Sequence, residues 1–153
     1  MKIAMEPFTH EFAKELLPLG QECWDECSEI KKDTCAFHGE RGLAIDPDFD
    51  RYVELSEKGY LITMTLRDDE NVLRGYGLMI LYNSLHLKYV LCGNVDNFYV
   101  QPKYRRSMAP MMKAMEKEFQ TRGVSIVGWP VTRAGLLFKI LKRRGYIADD
   151  TIM

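Results

Sequence analysis

At Tyr60 the spacing of apolar residues changes from a helical to a strand-like repeat, and three strand-like runs follow with only short polar breaks between them. YLITMTLR (60–67), the turn DDEN and VLRGYGLMILY (72–82) predict a β-hairpin, and KYVLCGNVDNFYV (88–100) predicts a third, longer strand. That last run is expected to be interrupted near Gly93-Asn94, where a bulge or a turn fits. Strands joined by such short connections pair antiparallel, which commits the chain to a sheet with an antiparallel centre.

The flanking segments say what covers that sheet. Residues 2–5 read as a short strand. Thr9 offers an N-cap to a helix in which Phe12, Leu16, Leu19, Cys23, Cys27 and Ile30 recur at helical spacing, with Pro18 and Gly20 expected to split it into two pieces. Residues 33–46 predict a mobile loop, and Asp46-Pro47 opens a second helix that Gly59 closes. Beyond the third strand, QPKYRRS is a polar connection and APMMKAMEKEFQTRG an amphipathic helix with Met111, Met112, Met115 and Phe119 on one face. VSIVGWPV then predicts a buried strand, RAGLLFKILKRRG a basic helix and YIADDTIM a last strand. The expected fold class is α/β, a mixed and mostly antiparallel sheet flanked by helices, in a single domain over 1–153.

At 153 residues the chain can bury a core without disulfides or metals, and 46% hydrophobic with 28% charged residues excludes a disordered or fibrous chain. No apolar run approaches the roughly 20 residues of a membrane-spanning helix, and the start MKIAMEPFTHE is not that of a signal peptide, so a cytoplasmic location without membrane association is expected. Cys23, Cys27, Cys35 and His38 can be written as a Cys3His zinc set, but their spacing lacks the matched pairs of zinc motifs. Reduced thiols and no metal are expected. Charge is divided unevenly: residues 1–70 hold 8 Lys+Arg against 17 Asp+Glu, and residues 71–153 hold 13 against 5. Such polarity suits an anion met by the C-terminal half and a cation met by the N-terminal half. A nucleic-acid partner would need aromatics among the basic residues, and only Tyr104 and Tyr146 qualify, so nucleic acid is not expected.

The stretch from Val95 to Gly145 is the most specific. Val100, Pro102, Tyr104 and Arg105 form a V-x-P-x-Y-R run from strand into helix, and Gly145-Tyr146 follows the basic helix. In these residues and in the order of its elements the chain resembles the GNAT superfamily of acyl-CoA N-acyltransferases, with an overall look closest to acetyltransferase-like proteins carried by bacteriophages. The resemblance implies an N-acetyltransferase that passes an acetyl group from acetyl-CoA to an amine by direct attack. It implies a cofactor contacted by Phe98, Tyr99 and Val100 on the strand and by Arg105, Arg106, Ser107, Met108 and Ala109 at the pyrophosphate loop. A helix N-terminus with Lys103, Arg105 and Arg106 beside it suits a diphosphate on physical grounds as well. The basic cluster Lys139, Lys142, Arg143 and Arg144 falls where the family meets the adenosine end. Trp24 and Trp129 fall beside the acceptor cleft.

Attack requires a neutral amine, and a lysine-like amine with a pKa near 10.4 is neutral in only about one part in a few thousand at pH 7, so a base is useful. Asp96 occupies the family's position for a strand carboxylate. His86 has a reference pKa near 6.5 suited to proton transfer, and Glu26 lies on the acceptor side. Two departures stand out. The loop's two small positions are Met108 and Pro110, and the family's tyrosine acid is replaced by Leu141. They sustain an alternative in which the chain is a GNAT-fold binding module, for a protein or small ligand, without CoA chemistry. The acceptor itself is not specified, although the acidic N-terminal half favours a cationic one, and the sequence is compatible with either a monomer or a homodimer.

Overall fold

The computed structural model describes residues 1–31, 44–129, 131 and 135–148. Its centre is a five-stranded sheet in sequential order, β1 (Lys2–Glu6), β2 (Leu61–Arg67), β3 (Leu73–Asn83), β4 (Leu91–Val100) and β5 (Ile126–Gly128). The first four strands pair antiparallel and β5 lies parallel to β4. Helices α1 (His10–Lys31) and α2 (Phe49–Glu57) connect β1 to β2, a 3-10 turn (Pro102–Ser107) runs into α3 (Met108–Thr121), and α4 (Leu136–Arg143) follows β5. This is the mixed, mostly antiparallel α/β sheet that the sequence predicts.

Local chemistry places these elements. The Thr9 hydroxyl accepts from the Phe12 N–H at 3.1 Å to cap α1, and Asp48 caps α2 by accepting from the Arg51 N–H at 3.1 Å. The expected break in α1 does not occur: Pro18 lies inside one continuous helix, whose apolar face, Phe12, Leu16, Leu19 and Cys23, is buried and holds it to the sheet. The strand expected over 124–131 shortens to Ile126–Gly128. Residues 146–148 are not a strand, and the rest of the expected last strand lies outside the described residues, as do the loop over 33–43, Cys35 and His38. Among the described residues no group of His, Cys, Asp and Glu could hold a metal ion, and no helix is long and apolar enough to cross a membrane.

Two cores cover the faces of the sheet. On one, α1 and α2 bury Phe8, Phe12, Leu16 and Tyr76; on the other, α3 buries Met108, Met111, Met115 and Phe119 against Met79, Val95 and Val100. The methionines are therefore core, as their helical spacing predicts, and Met108 is buried with them. Gly77 and Gly93 let α3 lie close: a Cβ at Gly77 would fall 2.6 Å from Met115 Cε and one at Gly93 2.3 Å from Phe119 Cε1. Gly93 thus marks a packing contact, and the bulge expected there lies elsewhere.

At the β1–β2 edge, Arg67 is only 9% exposed and is clamped between two carboxylates. Its Nε and Nη2 donate to Glu6 at 2.7 and 2.9 Å, and Nη1 and Nη2 donate to Glu15 at 2.6 and 2.9 Å. Hydrogen bonds from Arg67 hold both carboxyls below the ordinary glutamate range. A lowered folded-state pKa gives stability that is present above the unfolded value and lost as pH falls through the folded one. Arg67→Met leaves two carboxylates without their partner. It is expected to cost on the order of 2 kcal/mol at pH 7, below the full buried-pair penalty because Glu15 is partly solvated. The gap between variant and wild type should close on acidification below pH 4.5, as read by urea denaturation across pH.

Candidate active site

The pairing between β4 and its neighbours is irregular on both sides, and the site forms there. Against β3 the register passes from Leu78↔Asn97 to Met79↔Val95, so Asp96 is the extra residue of a β-bulge. Against β5 only Cys92, Gly93 and Asn94 are paired, with Ile126, Val127 and Gly128. From Val95 onward that edge of β4 has no strand beside it among the described residues. The divergence opens a cavity of about 730 Å³ between β4, α1, the segment 44–47, Trp129 and the start of α4.

Most of the residues singled out from sequence converge on this cavity. Asp96, Phe98, Tyr99, Val100, Arg105, Met108 and Glu26 all line it, as do Trp24 and Trp129. Trp129 packs edge-on against Phe98, with ring centroids 5.6 Å apart, and against Tyr146 at 6.2 Å. Others fall outside the lining. His86 is exposed in the β3–β4 connection at the far end of the hairpin, where its backbone N–H donates to Ser84 Oγ at 3.3 Å. Arg106, Ser107 and Ala109 stand at the start of α3 beside the cavity, with Arg106 and Ala109 exposed. In the basic cluster, Arg144 pairs with Glu116, which also accepts from the Tyr146 hydroxyl at 2.9 Å.

The carboxylates in and near the cavity differ in their commitments. Arg105 Nη2 donates to both oxygens of Glu26, at 2.6 Å to Oε1, and Arg105 Nε donates to the Val100 carbonyl at 3.3 Å. Glu26 and Arg105 therefore neutralise each other. Glu22, one turn earlier on α1, accepts from Gln101 Nε2 at 3.1 Å and from the Tyr99 hydroxyl at 3.3 Å, tying the helix to the end of β4. Asp96 is exposed, has no cationic partner among the described residues, and accepts from the Tyr52 hydroxyl at 2.7 Å. Cys23 is buried in the cavity wall. The adjacent Cys27 thiol and burial push the Cys23 thiol far up, so it stays protonated and its Sγ donates to Asn97 Oδ1 at 3.4 Å.

The loop before α3 is a poor match for a diphosphate cradle. Of the three first-turn positions, the Met108 N–H is spent on the Arg105 carbonyl and Pro110 has none. Ser107 stands at the N-cap without a side-chain capping bond, and the guanidinium of Arg105 is held by Glu26. Lys103 and Arg106 remain as exposed cations nearby. Along β4 the edge from Val95 to Val100 has no strand beside it among the described residues, and although Arg105 takes the Val100 carbonyl, this edge offers a cofactor more than the loop does.

Sequence reading does not reach Tyr52 or Glu22 as site residues, and it reaches Cys23 only as an apolar helix position and in a zinc set. Tyr52 lies 44 residues from Asp96, and its helical spacing signals only a buried face.

The architecture is that of the GCN5-related N-acetyltransferase fold. A ribosomal-protein-alanine N-acetyltransferase from Brucella melitensis biovar Abortus superposes with a TM-score of 0.67 at 16% identity, covering 100% of this chain and 97% of the other. A GCN5-related N-acetyltransferase from Ralstonia eutropha gives 0.68 at 16% identity, with 99% and 97% covered. A predicted acetyltransferase from Clostridium acetobutylicum, solved with acetyl-CoA, gives 0.67 at 14% identity, with 99% and 94% covered. No protein-family model matches the sequence, and no curated protein is detectably similar to it.

Proposed function

We propose that the protein is an N-acetyltransferase that passes the acetyl group of acetyl-CoA to a primary amine. The observation that carries this reading is the cavity opened where β4 outruns β5, with a bulge carboxylate on its wall and an unpaired strand edge along it. Acetyl-CoA would supply the electrophilic thioester carbonyl. The β4 edge around Tyr99 and Val100 holds that carbonyl and offers N–H donors to the developing oxyanion. Asp96 takes a proton from the ammonium form of the acceptor, the freed nitrogen bonds to the carbonyl carbon, and the carbon–sulfur bond breaks. The thiolate leaves without help from Leu141, since a thiol pKa near 8.5 makes it a tolerable leaving group. The net change is ammonium plus thioester to amide, thiol and one proton. An acceptor carrying positive charge suits the uncompensated Asp96 and the acidic N-terminal half.

A second reading has its own support. Met108, Pro110 and the Arg105–Glu26 pair together leave little of a phosphate cradle, as a fold retained for binding without CoA chemistry would. Titration calorimetry separates the two. Under the first reading acetyl-CoA binds, and dephospho-CoA and free adenosine bind more weakly. Absence of heat at millimolar acetyl-CoA would overturn it in favour of the second.

A further inference from the structure

We infer that Tyr52 is a positioning residue for Asp96, holding one carboxylate oxygen and leaving the other for the acceptor nitrogen; this rests on the acetyl-transfer reading above. The hydroxyl of Tyr52 donates to Oδ2 of Asp96 at 2.7 Å, across a gap between α2 and the bulge of β4. The ring behind that hydroxyl is fixed. It stacks on Phe8 with centroids 5.2 Å apart and planes at 23°, and it packs against the core beneath α1 and α2. Helix α2 is itself pinned, because Ser56 Oγ accepts from the Phe8 N–H at 3.0 Å and the Tyr60 carbonyl accepts from the Leu81 N–H at 2.8 Å.

A bulge residue needs such a partner. Asp96 is the extra residue of β4 and stands exposed, so the sheet alone leaves its side chain free to rotate. Among the described residues the other charged groups lining the cavity are Glu26, Arg105 and Asp46, and the first two neutralise each other, so none of them supplies a cation that competes with Tyr52 for the carboxylate. Burial and the neighbouring carboxylate push the Tyr52 phenol up, which keeps it a donor throughout the working pH range. The hydrogen bond therefore fixes the orientation of the carboxylate and leaves its other oxygen for an acceptor in the cavity.

Tyr52→Phe tests this, because phenylalanine keeps the stacked ring and removes only the hydroxyl. In protein isotopically labelled at aspartate Cγ, with the Asp96 signal assigned by its loss in Asp96→Asn, the Asp96 signal at neutral pH should move in the variant while the other aspartate signals stay, because only Asp96 loses a hydrogen-bond donor. Acetyl-CoA affinity should not change, while thiol release from acetyl-CoA in the presence of alkyl diamines should fall. An unmoved Asp96 signal in a folded variant would overturn the assignment. A moved Asp96 signal with no thiol release from the wild type for any amine would support Tyr52 as the holder of Asp96 and remove the acetyl-transfer reading.

Discussion

Asp96→Asn is expected to slow acetyl transfer to a primary amine by about 10²–10⁴-fold at neutral pH while leaving acetyl-CoA affinity unchanged. Asparagine keeps the shape and the hydrogen bond from Tyr52 but cannot take a proton. The cost should depend on pH in a particular direction. At pH 7 nearly all of a lysine-like amine is protonated, and the variant must draw on the small neutral fraction. As pH approaches the amine's own pKa near 10.4, that fraction grows and the variant should close on the wild type. The check is a pH–rate profile of thiol release for both proteins with one amine. A deficit that stays constant across pH would assign Asp96 to binding and not to proton transfer.

Phe119→Ala carries the largest expected effect on stability. The ring is 1% exposed and lies between α3 and the face of β4, directly over Gly93. Truncation removes the buried ring and leaves a void that Gly93, having no side chain, cannot fill. A cost of about 3–5 kcal/mol is expected. Against a total stability of roughly 5–15 kcal/mol this is a large fraction. Denaturant midpoints should show it, and Gly93→Ala should restore part of the loss in the Phe119→Ala background while destabilising the protein with Phe119 intact. Additivity of the two substitutions would mean that they do not share one space.

The parts of the fold legible in the sequence are those governed by short-range pattern. The hairpin over residues 60–82, the methionine face of α3 and the cap at Thr9 follow from periodicity and capping chemistry, and the structure agrees on each. Where long-range packing decides, local signals mislead. Pro18 and Gly20 read as a break, but burial of the helix face on the sheet holds α1 together. Gly93 reads as an interruption because a glycine's role is set by what lies over it, here Phe119 from a helix 26 residues on. The true bulge at Asp96 has no marker, since its cause is the change in register against β3. The site follows the same rule. Asp96, Glu26 and Arg105 can be picked out through the resemblance to the family, but that Glu26 is neutralised by Arg105 and Asp96 accepts from Tyr52 depends on elements 79 and 44 residues apart.

The three-residue pairing of β5 with β4 bears on how the molecule opens. Strands β1 to β4 are joined along most of their lengths, whereas among the described residues β5 is paired through Cys92–Asn94 alone. Amide exchange should therefore be slowest in the centre of the meander and faster in β5, which marks two regions of unequal protection. The cavity lies on the seam between them, with one wall on the protected side and Trp129 and the start of α4 on the other. A molecule that bridges the seam binds both regions at once, so its occupancy would be recorded as slowed exchange in β5 and α4 with little change in β2 and β3.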